Sequence, residues 1–139
     1  MAFTEVYFDQ LKEISDNCYL IEKGVRSCYL GVVTGPSESY DYGTSDDKHY
    51  VYSLDQKLKE IEKMVKSYDL HFAYYKKKTE EWEDHERADI WIYKYPHQGH
   101  IIKMIANDES YYLKEWIVGK LLGYGDEAME EFLTKEFPR

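Results

Sequence analysis

Residues 53–78, SLDQKLKEIEKMVKSYDLHFAYYKKK, decide the fold class, because a helix pattern gives way to a strand pattern inside them. Leu54, Leu58, Ile61, Val65 and Tyr68 fall on one stripe at helical spacing, and Lys57, Lys59, Glu60, Glu62, Lys63 and Lys66 populate the other side. Ser53 and Gln56 form an S-x-x-Q capping box, in which the two side chains reciprocally bond two orphan amides at the start of a helix. The spacing predicts a helix over 54–68. Leu70-His-Phe-Ala-Tyr-Tyr75 then reads as a strand running out into Lys76-Lys77-Lys78. Its expected partner is Asp89-Ile-Trp-Ile-Tyr-Lys-Tyr95, which alternates and is stopped by Pro96.

Working outward, Thr4 caps a first helix expected over 5–16, with Phe3, Tyr7, Leu11 and Ile14 at helical spacing. Asp16-Asn17 breaks that pattern, and Cys18-Tyr-Leu-Ile21 and Cys28-Tyr-Leu-Gly-Val-Val33 are expected to form an antiparallel hairpin around Lys23-Gly24. Residues 35–48, GPSESYDYGTSDDK, keep no apolar periodicity and read as a loop, closed by a short strand at His49-Tyr-Val-Tyr52. His97-Gln-Gly-His100 reads as a turn into Ile101-Ile-Lys-Met-Ile105, which is short enough to be strand or helix. Asn107 or Asp108 caps a helix through Trp116 and Leu121, Gly123-Tyr-Gly125 ends it, and Asp126 caps a last helix with Met129, Phe132 and Leu133. With no repeat and no linker, this order predicts a single α+β domain over 1–139. It has a largely antiparallel sheet, an N-terminal helix, a central amphipathic helix and a C-terminal αα-hairpin.

The length suits one domain of roughly 100–150 residues. Apolar residues make up 43%, but 15 of them are tyrosines, so the core is partly built from amphipathic rings. With 27 acidic against 18 basic side chains the formal charge is −9, which repels phosphate backbones and argues against a general nucleic-acid binder and for a basic partner or plain solubility. No apolar run reaches membrane-span length, and MAFTEVYF lacks the layout of a secretory signal, so a soluble protein in the cytoplasm is expected. In that compartment Cys18 and Cys28 read as two small buried residues.

Catalytic patterns do not stand out. There is no G-x-S-x-G, P-loop or dinucleotide glycine pattern, and Asp89 with Lys94 on one expected strand does not make the acid-then-E-x-K set of a restriction-like nuclease. His97-x-x-His100 is the one close histidine pair, and i,i+3 spacing serves a metal only on a helix, which Pro96 and Gly99 oppose. No metal and no cofactor are therefore expected. A small metal-dependent hydrolase or nuclease using His97, His100 and nearby acids is the alternative. The C-terminal pair has helix-turn-helix spacing in Gly119, Gly123 and Met129, but its second helix carries Asp126, Glu127, Glu130, Glu131 and Glu136 against Lys135. A transcriptional accessory role is thus a further alternative, with the charge against direct DNA contact.

Acids mixed with aromatics remain. Tyrosine and tryptophan give contact area at low entropic cost, and carboxylates around them steer a basic partner. Glu80, Glu81, Trp82, Glu83 and Asp84 are the first candidate contacts, and Tyr40, Asp41, Tyr42, Asp46 and Asp47 the second. The same exposed rings suit a homodimer seam.

Residues 116–133, WIVGKLLGYGDEAMEEFL, resemble a G-K-L-L-G-Y-x-x-E tail of small accessory proteins from phages and prophages of Gram-positive bacteria. Small acidic proteins of that kind include inhibitors of bacterial defence, among them anti-CRISPR proteins that occupy basic nucleic-acid channels with carboxylates. The resemblance implies a non-enzymatic inhibitor of a host nucleic-acid-handling enzyme, acting as a nucleic-acid mimic.

Overall fold

The computed structural model describes residues 3–44, 47–78, 85–106 and 111–136, with side chains placed within 9–41, 50–77, 85–106 and 114–136. The elements run α1 (Phe3–Glu22), β1 (Cys28–Pro36), β2 (Tyr40–Thr44), β3 (Asp47–Val51), α2 (Leu54–Ser67), β4 (His71–Lys78), β5 (His85–Tyr93), α3 (Pro96–Ala106), α4 (Tyr111–Leu121) and α5 (Asp126–Glu136). The fold is α+β. Strands β1-β5-β4 form an antiparallel sheet in that order, and β2-β3 form a separate antiparallel hairpin.

The 53–78 stretch folds as its periodicity demands. Helix α2 buries Leu54, Leu58, Ile61 and Val65, and β4 pairs with β5 in a register that sets Ala73 opposite Trp91 and Tyr75 opposite Asp89. Strand β5 is central, with Leu30 of β1 opposite the other side of Trp91. Both of its faces are therefore covered. Ala88, Ile90 and Ile92 join Ile14, Cys18 and Ile21 of α1 and the buried stripe of α2, while Trp91 joins Cys28, Ile102, Ile105 and Leu121 on the opposite face. Helices α1 and α2 thus cover one side of the sheet and α3 and α4 the other. The outer edge of β1 is closed by Gln10 Nε2, which donates to Val32 O (2.8 Å), and Lys57 Nζ, which donates to Thr34 O (2.8 Å). Gly35 lies where β1 crosses the start of α2, since a Cβ there would stand 2.8 Å from the Leu54 backbone nitrogen.

Three expectations are corrected. Cys18–Ile21 are not a strand but the last turns of α1, because Leu11, Ile14, Cys18 and Ile21 continue one helical stripe into the core. Lys23-Gly24 is accordingly a helix end and not a hairpin turn. Gly24 takes φ 76°, its N–H bonds Ile21 O (3.1 Å), and the Val25 N–H bonds Leu20 O (2.9 Å), the two bonds of a Schellman cap. Most of the loop expected over 35–48 belongs to the end of β1 and to the β2-β3 hairpin, whose last residue, Val51, is buried. His97–His100 are the first turn of α3, and 101–105 are helix. Pro96 does stop the strand, but as the first helical residue it also starts α3, and Gln98 Oε1 reaches back to accept from the Tyr95 N–H (3.0 Å).

Cys18 and Cys28 are free, buried, and in clusters on opposite sides of the sheet. The Cys28 thiol donates to Leu121 O (2.8 Å). Burial pushes both thiols up to about 11, so neither is a thiolate near neutral pH.

Helix α2 ends on the same Schellman bonds as α1, but with Asp69 at φ 60° in the glycine position. Asp69→Gly is expected to raise the unfolding free energy by about 0.5–1 kcal/mol, because relief of the Cβ clash outweighs the added chain entropy. Urea unfolding of the two proteins checks this.

Candidate functional site

Among the sequence-predicted contacts, Glu80, Glu81, Trp82, Glu83, Asp84 and Asp46 lie outside the described residues. Tyr42 and Asp47 are placed by backbone in the hairpin, opposite His49 and Thr44. Tyr40 and Asp41 are exposed on β2, opposite Val51 and Tyr50. The hairpin therefore gathers Tyr40, Asp41, Tyr42 and Asp47, and adds Tyr50, which the sequence reading had not singled out. Its signal was present as the His49–Tyr52 strand.

The base of the hairpin is tied to the start of α2. The Ser53 side chain accepts from the Gln56 N–H (3.2 Å), as the capping box requires, but the return bond is relayed. Ser39 Oγ accepts from the Ser53 N–H (2.9 Å) and donates to Gln56 Oε1, which also accepts from Tyr50 OH (3.1 Å). The ring of Tyr50 meets that of Tyr52 edge-on at 4.7 Å. Tyr50 is thus exposed yet held at both ring and hydroxyl, which lowers the ordering cost of using it in a contact.

His97 and His100 are both exposed on the first turn of α3, with His97 stacked on Tyr95 (5.9 Å). The helix that i,i+3 ligation needs is present after all, but among the described residues no group of three His, Cys, Asp or Glu could hold a metal. In the C-terminal pair, Gly123 (φ 91°) ends α4 and α5 packs Met129 and Leu133 inward. Lys120 binds the carboxylate of Asp126, whereas Glu127, Glu130 and Glu131 are exposed.

A charge cluster that the sequence reading missed sits on the α3–α4 side of the sheet. Asp89 Oδ2 pairs with Lys77 Nζ (2.8 Å) and Oδ1 with Arg87 Nη2 (3.2 Å), at the mouth of a cleft of about 310 Å³ lined by Tyr75 and Trp91 of the sheet and Lys114 and Glu115 of α4. Burial pushes the Asp89 carboxyl up, but the hydrogen bonds and charges of Lys77 and Arg87 outweigh it and hold the group below the usual carboxylate range. A carboxylate so held binds no proton near neutral pH and has both oxygens engaged, so it is a structural ion-pair acceptor and a poor general base. The pairing of oppositely charged Lys77 and Asp89 across expected partner strands was the available signal.

Comparison with protein-family models, with curated proteins and with solved structures gives no match in any of the three. Among the described residues, no helix is long and apolar enough to cross a membrane.

Proposed function

We propose that this chain is a non-enzymatic phage or mobile-element protein that binds and inhibits a host protein with a basic surface, a nucleic-acid-handling defence enzyme, in the manner of an anti-CRISPR protein. The observation that carries the reading is the β2-β3 hairpin, which presents Tyr40, Asp41 and Tyr50 on a base immobilised by Ser39, Ser53 and Gln56. Charge supports it. Lys23, Lys66, Lys76, Lys77, Arg87 and Lys120 are each paired with a carboxylate of this chain, so the excess negative charge is left for an outside partner.

The test is capture of host proteins on the immobilised chain, washed in increasing salt, with DNA or RNA as competitor. One basic nucleic-acid enzyme is expected, released by salt and displaced by nucleic acid. A combined Tyr40→Ala, Asp41→Lys and Tyr50→Ala variant is expected to lose the capture while remaining folded, as is lysine reversal of Glu80, Glu81, Glu83 and Asp84. Full capture by both folded variants, or a partner indifferent to salt and nucleic acid, overturns the proposal.

A further inference from the structure

The two edges of the β1-β5-β4 sheet differ. Gln10 and Lys57 close the outer edge of β1, whereas among the described residues no hydrogen bond reaches the outer edge of β4. In an edge strand every second residue points its N–H and C=O away from the sheet, and those of β4 are left to water. Strand β4 is also long and regular for an edge. Its eight residues pair with β5 without a bulge from His71 to Lys78, and none is proline. Lysines commonly blunt such an edge, but Asp55 holds Lys76 Nζ (2.6 Å) and Asp89 holds Lys77 Nζ (2.8 Å), which draws the two side chains toward opposite faces of the sheet. Beside the strand runs a groove of about 350 Å³, where Glu62 and Lys66 of α2 pair with each other (2.8 Å) and Tyr74 is 43% exposed.

A row of open backbone groups selects another strand, because only extended backbone repeats donors and acceptors at the matching spacing. Charge selects which strand. Glu62, Lys66, Lys76 and Lys77 are matched inside the chain, so neither a basic nor an acidic segment finds a free opposite charge among them. A strand whose charges are already balanced fits, and β4 of a second copy is one. We infer that β4 pairs antiparallel with β4 of a second copy about a two-fold axis, joining two three-stranded sheets into one. With the axis at Ala73, Phe72 of each copy faces Tyr74 of the other, an aromatic cross-strand pair made twice. The lysine end of each strand then comes beside the exposed Asp69 of the other copy. The formal charge of −9 opposes the pairing only weakly, since charges more than about 8 Å apart are largely screened at physiological salt. The β2-β3 hairpin follows β1, on the other edge of the sheet, and takes no part.

The test is sedimentation velocity of the whole chain from about 1 to about 500 μM, a range that spans weak and moderate dimers, with amide hydrogen exchange at both ends of it. A monomer–dimer equilibrium is expected, in which alternate amides within 71–77 gain protection as the dimer fills. Tyr74→Lys sets two cations near the axis at an exposed position. It is expected to weaken the dimer about tenfold or more while circular dichroism shows the chain still folded, whereas Tyr74→Phe keeps the dimer. A chain that stays monomeric at the highest concentration, a dimer that leaves exchange at 71–77 unchanged, or a folded Tyr74→Lys variant that dimerises as the parent does overturns the inference. So does a monomer whose capture of a host protein is lost in Tyr74→Lys, because the edge would then take a strand of that partner. If Tyr74→Lys does not fold, exchange of the parent chain decides. No host protein enters the sedimentation, so its failure is distinct from a failure to capture one from a lysate.

Discussion

Ile90→Ala is expected to cost about 3–4 kcal/mol of unfolding free energy, a large part of the total for a domain of this size. Ile90 is fully buried on the central strand, with neighbours fixed on every side. It faces the cluster formed by Ile14, Cys18 and Ile21 of α1 and by Leu54, Leu58, Ile61 and Val65 of α2. The backbone cannot collapse into the space left behind, because β5 is bonded to β1 through the Gly31 position and to β4 through the Tyr74 position at that same residue. The lost transfer free energy and the residual cavity therefore add. Urea midpoints measured with unchanged denaturant slope check the value, with Val25→Ala, at an exposed position, as the control expected within about 0.5 kcal/mol of the parent. A loss below about 1 kcal/mol would mean that β5 is not the central strand.

The second large effect is at Asp89, and pH separates it from simple packing. Its side chain is 18% exposed, whereas those of Lys77 and Arg87 are 52% and 44% exposed, so solvent screens the pair from the cationic side. Asp89→Ala is expected to cost about 1–2 kcal/mol at pH 7, through loss of the carboxylate that holds two cations together at the sheet surface. The folded carboxyl titrates below its unfolded value of about 3.9, so the stabilisation is fully present above that value and is lost as pH falls through the folded one. Parent and variant are therefore expected to differ at pH 7 and to converge as the pH falls through the folded value. Urea midpoints at both ends of that window decide the matter. A difference that persists unchanged in acid would assign the effect to packing in the cleft and not to charge.

Much of the architecture was legible because single elements carry their own period. The stripe of α2, the tyrosine-rich β4, the alternating β5 and the acidic α5 are each patterned over enough residues for one secondary structure to win locally. Glycine positions were legible too, since Gly24 and Gly123 both adopt the positive φ that a chain reversal needs. The kind of reversal at Gly24 was not. A Schellman cap and a hairpin turn ask for the same residue, and the choice depended on whether Cys18 and Ile21 continued a stripe begun at Leu11. Pro96 was ambiguous in the same way, since it ends a strand and begins a helix with equal ease.

The candidate contacts divided along a similar line. Tyr40, Asp41, Tyr42 and Asp47 were read as a loop, because two short tyrosine- and aspartate-bearing strands have no apolar face of their own. What makes them a hairpin is anchoring at its base, where Val51 at the end of β3 is buried and Ser39, just before β2, bonds Gln56 in the first turn of α2. Asp89 was legible as a strand residue, but its partners Lys77 and Arg87 converge on it only through strand pairing and the alternation of β5.

By itself the sequence determined the elements with strong periodicity, the α+β class and the large excess of negative charge, since these depend on neighbours within a few turns or on composition alone. Tertiary structure decided that β1 pairs with β5 and not with residues 18–21, and that β5 rather than β1 or β4 lies at the centre. Short apolar runs have nearly the same local free energy in either pairing. The difference lies in which arrangement buries Ile90, Trp91 and Ile92 from both sides at once, and that is a property of the assembled sheet and its helices.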